Sequence, residues 1–118
     1  MLEKVLIVDD SKFSRNTTRK LLESLGHTIV GEAVDGKDGL TKCKELKPDL
    51  IITDIEMPDI NGIEMIKELN ETNLLTKIII LSSVVNSQVM QEALKYRTPV
   101  IKKPLKEAKF LSALELLV

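Results

Sequence analysis

The feature that most constrains this chain is an alternation. Short, wholly apolar runs are separated by longer segments that carry the residue spacing of helices. Val5-Leu6-Ile7-Val8, Leu50-Ile51-Ile52-Thr53 and Ile78-Ile79-Ile80-Leu81 are too short to be helices. They lack a polar face, as expected of strands buried on both sides. Thr28 to Ala33 is a more polar strand suited to a sheet edge, and Pro99-Val100-Ile101-Lys102 is a short one whose proline and lysine also suit an edge. Helical patterns run from about Lys12 to Leu25, from Lys37 to Lys47, from beyond Gly62 to about Asn70, from Ser87 to Tyr96 and from Leu105 to Val118. The first has Asp10 or Ser11 as its cap, places Phe13, Thr17, Leu21 and Leu25 on one face, and stops at Gly26. Asp35-Gly36 marks a turn, Pro48 ends the second helix, and Met57 to Gly62 reads as a loop. Five strands alternating with five helices predict an α/β fold, a parallel sheet covered by helices on both faces.

Composition narrows what such a fold can do. The 118 residues make one domain, 1–118, of ordinary size. No apolar run approaches the roughly 20 residues needed to span a bilayer, so no membrane contact is expected. Met1-Leu2-Glu3-Lys4 runs straight towards Asp9-Asp10 and is not a secretory leader. The lone Cys43 excludes an internal disulfide and fits a cytoplasmic location. The lone His27 leaves a histidine metal cage or a Ser/His/Asp triad poorly supplied, and both residues read as structural bystanders. A net charge of −1 with acids and bases interleaved offers no footprint for direct nucleic-acid binding.

The polar residues fall where the strands end. The first strand runs into Asp9-Asp10, the third into Asp54, the fourth into Ser82 and the fifth into Lys103. In an open parallel sheet these carboxyl ends share one edge, where such folds bind ligands. Each residue taken singly has an ordinary reading as a helix cap, loop start or solvated lysine. Taken together, those readings require four coincidences on one edge. Three clustered carboxylates repel one another, so at neutral pH they need a cation or must take up protons. Oxygen ligands without His or Cys suit Mg²⁺ or Mn²⁺. A carboxylate can also be the nucleophile in phosphoryl transfer, with an ammonium and a hydroxyl stabilising charge on the transferring group.

These residues resemble a known family over essentially the whole chain. Val5 to Ser11 (V-L-I-V-D-D-S), Ala33 to Leu40 (A-V-D-G-K-D-G-L), Asp49 to Gly62 (D-L-I-I-T-D-I-E-M-P-D-I-N-G), Ile78 to Ser83 and Lys103-Pro104 together resemble the receiver domains of two-component response regulators. The resemblance implies a flavodoxin-like, doubly wound five-stranded sheet of order 2-1-3-4-5. It implies that Asp54 accepts a phosphoryl group from a histidine kinase or phosphotransfer protein, with Ser82 and Lys103 in the catalytic set. It also implies that Asp9, Asp10, Asp54 and the backbone carbonyl of Glu56 hold Mg²⁺ or Mn²⁺. The implied output is binding of a downstream protein through the fourth helix, fifth strand and fifth helix. Such a protein catalyses its own phosphorylation and dephosphorylation but is chiefly a cytoplasmic phosphorelay or chemotaxis switch.

Two departures stand out. Val100 occupies the position where the family usually carries a switch aromatic, so no rotamer gate is expected there, and Lys95 to Pro99 replaces the common short turn. Glu56 and Val84 flank the expected phosphoryl position without offering an amide to orient water, which predicts slow self-dephosphorylation. Two other functions compete. One is a phosphohydrolase of the haloacid dehalogenase type, faintly suggested by Asp54-x-Glu56. The other is a docking module that no longer takes phosphate. The apolar ending Leu116-Leu117-Val118 fits either a stand-alone receiver or a chain that continues into an output domain. The apolar excess of the last helix (Leu105, Phe110, Leu111, Leu114, Leu116, Leu117) suits a homodimer face or simply core plus a fraying end.

Overall fold

A computed structural model describes residues 2–57, 62–71, 76–83 and 85–117. The chain runs β1 (Lys4–Val8), α1 (Lys12–Ser24), β2 (Thr28–Ala33), α2 (Gly36–Leu46), β3 (Leu50–Thr53), α3 (Gly62–Glu71), β4 (Lys77–Ser82), α4 (Ser87–Lys95), β5 (Val100–Lys102) and α5 (Glu107–Leu116). All strand pairs are parallel, in the order β2-β1-β3-β4-β5. The polar strand β2 and the short strand β5 are the edges, as their composition predicts.

The apolar strands serve two cores at once. Strand side chains alternate faces, so Val5 and Ile7 of β1 point to one side while Leu6 and Val8 point to the other. Val5, Ile7, Leu50, Ile52, Ile79, Leu81 and Ile101 pack with Leu22 of α1 and Phe110 and Ala113 of α5. Leu6, Val8, Ile51, Ile78 and Ile80 pack with Leu40 and Cys43 of α2, Met65, Ile66 and Leu69 of α3, and Ala93 of α4. Each fully buried aliphatic side chain contributes about 1.5–3 kcal/mol by leaving water. A continuous apolar run is therefore what a strand covered on both faces requires.

The first helix departs from expectation. The stripe of Phe13, Thr17, Leu21 and Leu25 is not the buried one: Phe13 is 82% exposed and Thr17 is exposed. Thr18 and Leu22 face the sheet, flanked by the half-buried Leu21 and Leu25. A 3.6-residue period lets two neighbouring four-residue rows compete, and Leu22 belongs to both the apolar count and the inward row. The cap is Ser11, whose hydroxyl accepts the Ser14 N–H at 3.2 Å. Smaller corrections concern boundaries. Pro99 precedes β5, and the last helix begins at Glu107 rather than Leu105, which is instead buried in the core. Of the predicted Met57 to Gly62 loop, 58–61 lie outside the described residues, as do Val84 and Val118.

Candidate functional site

The backbone fixes the site one step beyond the end of each strand. The Asp9 N–H donates to Ala33 O at 3.0 Å, that of Asp54 to Val8 O at 2.9 Å, and that of Lys103 to Ser82 O at 2.7 Å. The parallel ladders thus run on to the residues that immediately follow β1, β3 and β5. Asp9, Asp54 and Lys103 inherit the rigidity of the sheet while their side chains project past its carboxyl edge.

Three carboxylates meet there. Asp9, Asp10 and Asp54 each bring an oxygen to within 4.8 Å of the others. Asp9 is 3% exposed, Asp10 is open to solvent and Asp54 lies between. Asp9 Oδ1 accepts the Ser11 N–H at 2.9 Å, and Asp54 Oδ1 accepts the Ile55 N–H at 2.7 Å. Their second oxygens converge on one ammonium: Lys103 Nζ donates to Asp9 Oδ2 at 2.9 Å and to Asp54 Oδ2 at 3.0 Å. Strands are about 4.8 Å apart, so a residue after β5 must reach past β4 to touch groups on β3 and β1. A long, flexible cationic side chain can do so.

Burial pulls the Lys103 ammonium down, but the hydrogen bonds and charges of Asp9 and Asp54 outweigh it, leaving Lys103 above the ordinary lysine value. It is a cation at any physiological pH. Among the described residues, this one ammonium pairs with two of the three clustered carboxylates, Asp9 and Asp54. The site is therefore short of positive charge, and its exposed donors are hard oxygens, a set that fits Mg²⁺ or Mn²⁺.

Two other predicted members are placed by the sheet and by the chain. Ser82 closes β4, between β3 and β5, and is 1% exposed. Glu56 is exposed two residues after Asp54. Val84 lies outside the described residues. Two contributors escaped the sequence reading. Gly62 opens α3 directly against the site: a Cβ there would fall 2.5 Å from Asp54 O and 3.0 Å from Ile55 Cα. The Gly62 N–H also donates to Ile55 O at 2.8 Å. Arg15 is the other, its Nη1 donating to Asp9 O at 2.7 Å. A signal for it existed, because a cation near the start of a helix opposes the helix dipole and calls for a local partner.

A parallel sheet of this order, with an acidic cluster and a lysine on its carboxyl edge, defines the class of flavodoxin-like, doubly wound folds with a polar site at the strand ends. Within that class, residues 5–115 match the response regulator receiver domain, and the chain belongs to that family. It is 40% identical over 95 residues to the chemotaxis protein CheY of Thermotoga maritima, covering 80% of this chain and 79% of that one. It is 35% identical over 113 residues to protein CcdB of Bacillus subtilis, covering 95% and 94%. Among solved structures it resembles the CheY of a CheX-CheY-BeF3-Mg complex from Borrelia burgdorferi, with a TM-score of 0.89 and 30% identity over 98% of this chain and 89% of that one. The chain is thus a CheY-like receiver domain of two-component response regulators. The haloacid dehalogenase alternative falls, because the Asp54 motif follows the third strand of a receiver sheet.

Proposed function

We propose that this receiver takes a phosphoryl group onto Asp54 in a Mg²⁺-dependent reaction, from a histidine kinase, a phosphotransfer protein or a small acyl phosphate. The observation that carries the proposal is the pair of hydrogen bonds that Lys103 donates to Asp9 and Asp54 beside a third carboxylate. Asp54 is the nucleophile: its carboxylate oxygen forms the bond to phosphorus as the bond from phosphorus to the donor's nitrogen or oxygen breaks, and the donor leaves with that electron pair. The Ile55 N–H holds Asp54 Oδ1 and limits rotation of the carboxylate. Lys103, released from Asp54 Oδ2 as that oxygen is esterified, can follow the charge onto a phosphoryl oxygen. Ser82, at the end of the intervening strand, would supply a hydroxyl to another. The cation would be held by the carboxylates of Asp9, Asp10 and Asp54 with the Glu56 carbonyl. When bound, it offsets carboxylate repulsion and the charge of the transferring group. The CheY complex of Borrelia burgdorferi contains Mg²⁺, which supports that reading.

The output we propose is binding of a protein target at the α4–β5–α5 face, in a cytoplasmic setting and without direct contact to nucleic acid. A groove of about 700 Å³ lies there, lined by Met90, Leu94, Val100 and Leu116 and by the cations Arg97, Lys102 and Lys109. Val100 is too short to swing as a gate, so the face responds through displacement of Ser82 and β5. The exposed Leu111 and Leu116 leave a homodimer through α5 as a second use of this surface. With the exposed acid Glu56 beside the site, we expect a slowly hydrolysed phosphoryl group.

The test is intact-mass analysis after incubation with acetyl phosphate and Mg²⁺. A single phosphoryl adduct that EDTA prevents, and that persists for minutes after the donor is removed, supports both parts. No adduct in folded protein favours the phosphate-independent docking module. Decay within seconds refutes the slow hydrolysis.

A further inference from the structure

The acidic cluster is braced from behind. Arg15 Nη1 donates to the Asp9 carbonyl oxygen at 2.7 Å, and Arg15 Nε lies 3.3 Å from Glu32 Oε1 on β2. Glu32 is held in turn by Arg19, whose Nη1 is 3.0 Å from Oε2. The Arg15 side chain is 14% exposed, so this is not a loose surface pair.

The carbonyl that Arg15 grips belongs to the planar peptide unit joining Asp9 to Asp10. Fixing its direction fixes where the Cα of Asp10 stands, the point from which its carboxylate reaches the cluster. Asp9 needs little of this help. Its N–H bonds Ala33 O, its Oδ1 accepts from Ser11 and its Oδ2 from Lys103. Asp10 is the exposed partner and follows immediately in the chain. A planar guanidinium can serve the carbonyl and the Glu32 carboxylate at once through different N–H groups, a geometry an ammonium does not reproduce. The placement is also costly: a cation early in a helix opposes the dipole, and a cation beside a metal site repels the metal. Glu32 offsets both costs while keeping the fork oriented.

We propose that Arg15, braced by Glu32, is a positioning residue that orients the Asp9–Asp10 peptide so that Asp10 faces a divalent cation shared with Asp9 and Asp54. The inference rests on the metal reading above and adds to it.

Mn²⁺ binding, followed by the paramagnetic resonance of the free ion, tests it without phosphorylation. Removing a positive charge should tighten cation binding by electrostatics alone; loss of positioning should weaken it. The proposal predicts that Arg15→Gln weakens Mn²⁺ about tenfold and that Arg15→Lys, with the charge kept, weakens it as well. Arg19→Gln, which loses the other guanidinium on Glu32 without touching Asp9, should stay within about twofold of wild type, well short of the tenfold loss. Unchanged or tighter binding by Arg15→Gln overturns the positioning role alone. Failure of the wild type to bind Mn²⁺ overturns the metal reading and this inference with it. Should Arg15→Gln not fold, Arg15→Lys carries the same comparison.

Discussion

Lys103 Nζ and Asp54 Oδ2 lie 3.0 Å apart although 49 residues separate them in the chain. The same ammonium holds Asp9 at 2.9 Å. Replacing Lys103 by Met removes the one described cation that touches both acids, and with it a donor aimed at the transferring group. Phosphorylation of Asp54 by acetyl phosphate should slow about 100-fold, the usual cost of one such donor. Mn²⁺ affinity should not fall, because a competing positive charge has gone. Loss of metal binding in this variant would show that Lys103 organises the acids rather than the phosphoryl group.

Gly62 is constrained by backbone, which cannot move aside as a side chain can. A methyl group there meets Asp54 O and Ile55 Cα below any ordinary contact distance. Gly62→Ala should cost about 1–3 kcal/mol in urea unfolding and should also slow phosphorylation, since α3 would be pushed off the segment that carries Asp54. A variant as stable as wild type would mean that α3 relaxes without disturbing the site.

The two rows of α1 separate cleanly by mutation. Leu22 is fully buried against β1 and α5 residues while Phe13 is 82% exposed. Leu22→Ala should destabilise by about 2–5 kcal/mol and Phe13→Ala by no more than about 0.5 kcal/mol, both read from urea midpoints. The reverse ranking would restore the row that sequence spacing alone favours.

At the opposite edge of the sheet, His27 Nδ1 accepts the Glu3 N–H at 2.9 Å and its ring meets Phe110 edge-on at 5.3 Å. Glu3 itself pairs with Lys77. Burial lowers the His27 imidazole from its ordinary value of 6.5, more than the Glu3 charge raises it. A depressed histidine stabilises the fold above its unfolded value, and that contribution is lost as the pH falls through the folded one. Protonating Nδ1 also destroys the acceptor for Glu3. Urea stability should therefore drop as the pH falls below the ordinary histidine value of 6.5, and His27→Gln should lack that component. An identical slope in both proteins would exclude His27 as its source.

Much of this was legible because strand, turn and helix signals agreed along the chain. Leu50-Ile51-Ile52 read as a strand covered on both faces, and the placement of Asp9, Asp54, Ser82 and Lys103 at the ends of four strands brought them to one edge. What stayed hidden depends on rotation and close approach. Period alone did not distinguish the Phe13–Thr17 row from the Thr18–Leu22 row. The need for glycine at 62 arises from a backbone contact with residue 54 across a loop. Arg15 looked like one more helix charge until β2 brought Glu32 beside it.

Chemical trapping identifies the phosphoacceptor, proposed to be Asp54, by its position in the chain. After incubation with acetyl phosphate and Mg²⁺, borohydride reduction converts an aspartyl phosphate to homoserine, which peptide mass spectrometry can place in the sequence. Homoserine is expected at position 54 alone, and none when EDTA is present. Homoserine at Asp9 or Asp10, or none in protein shown to be folded, would contradict it.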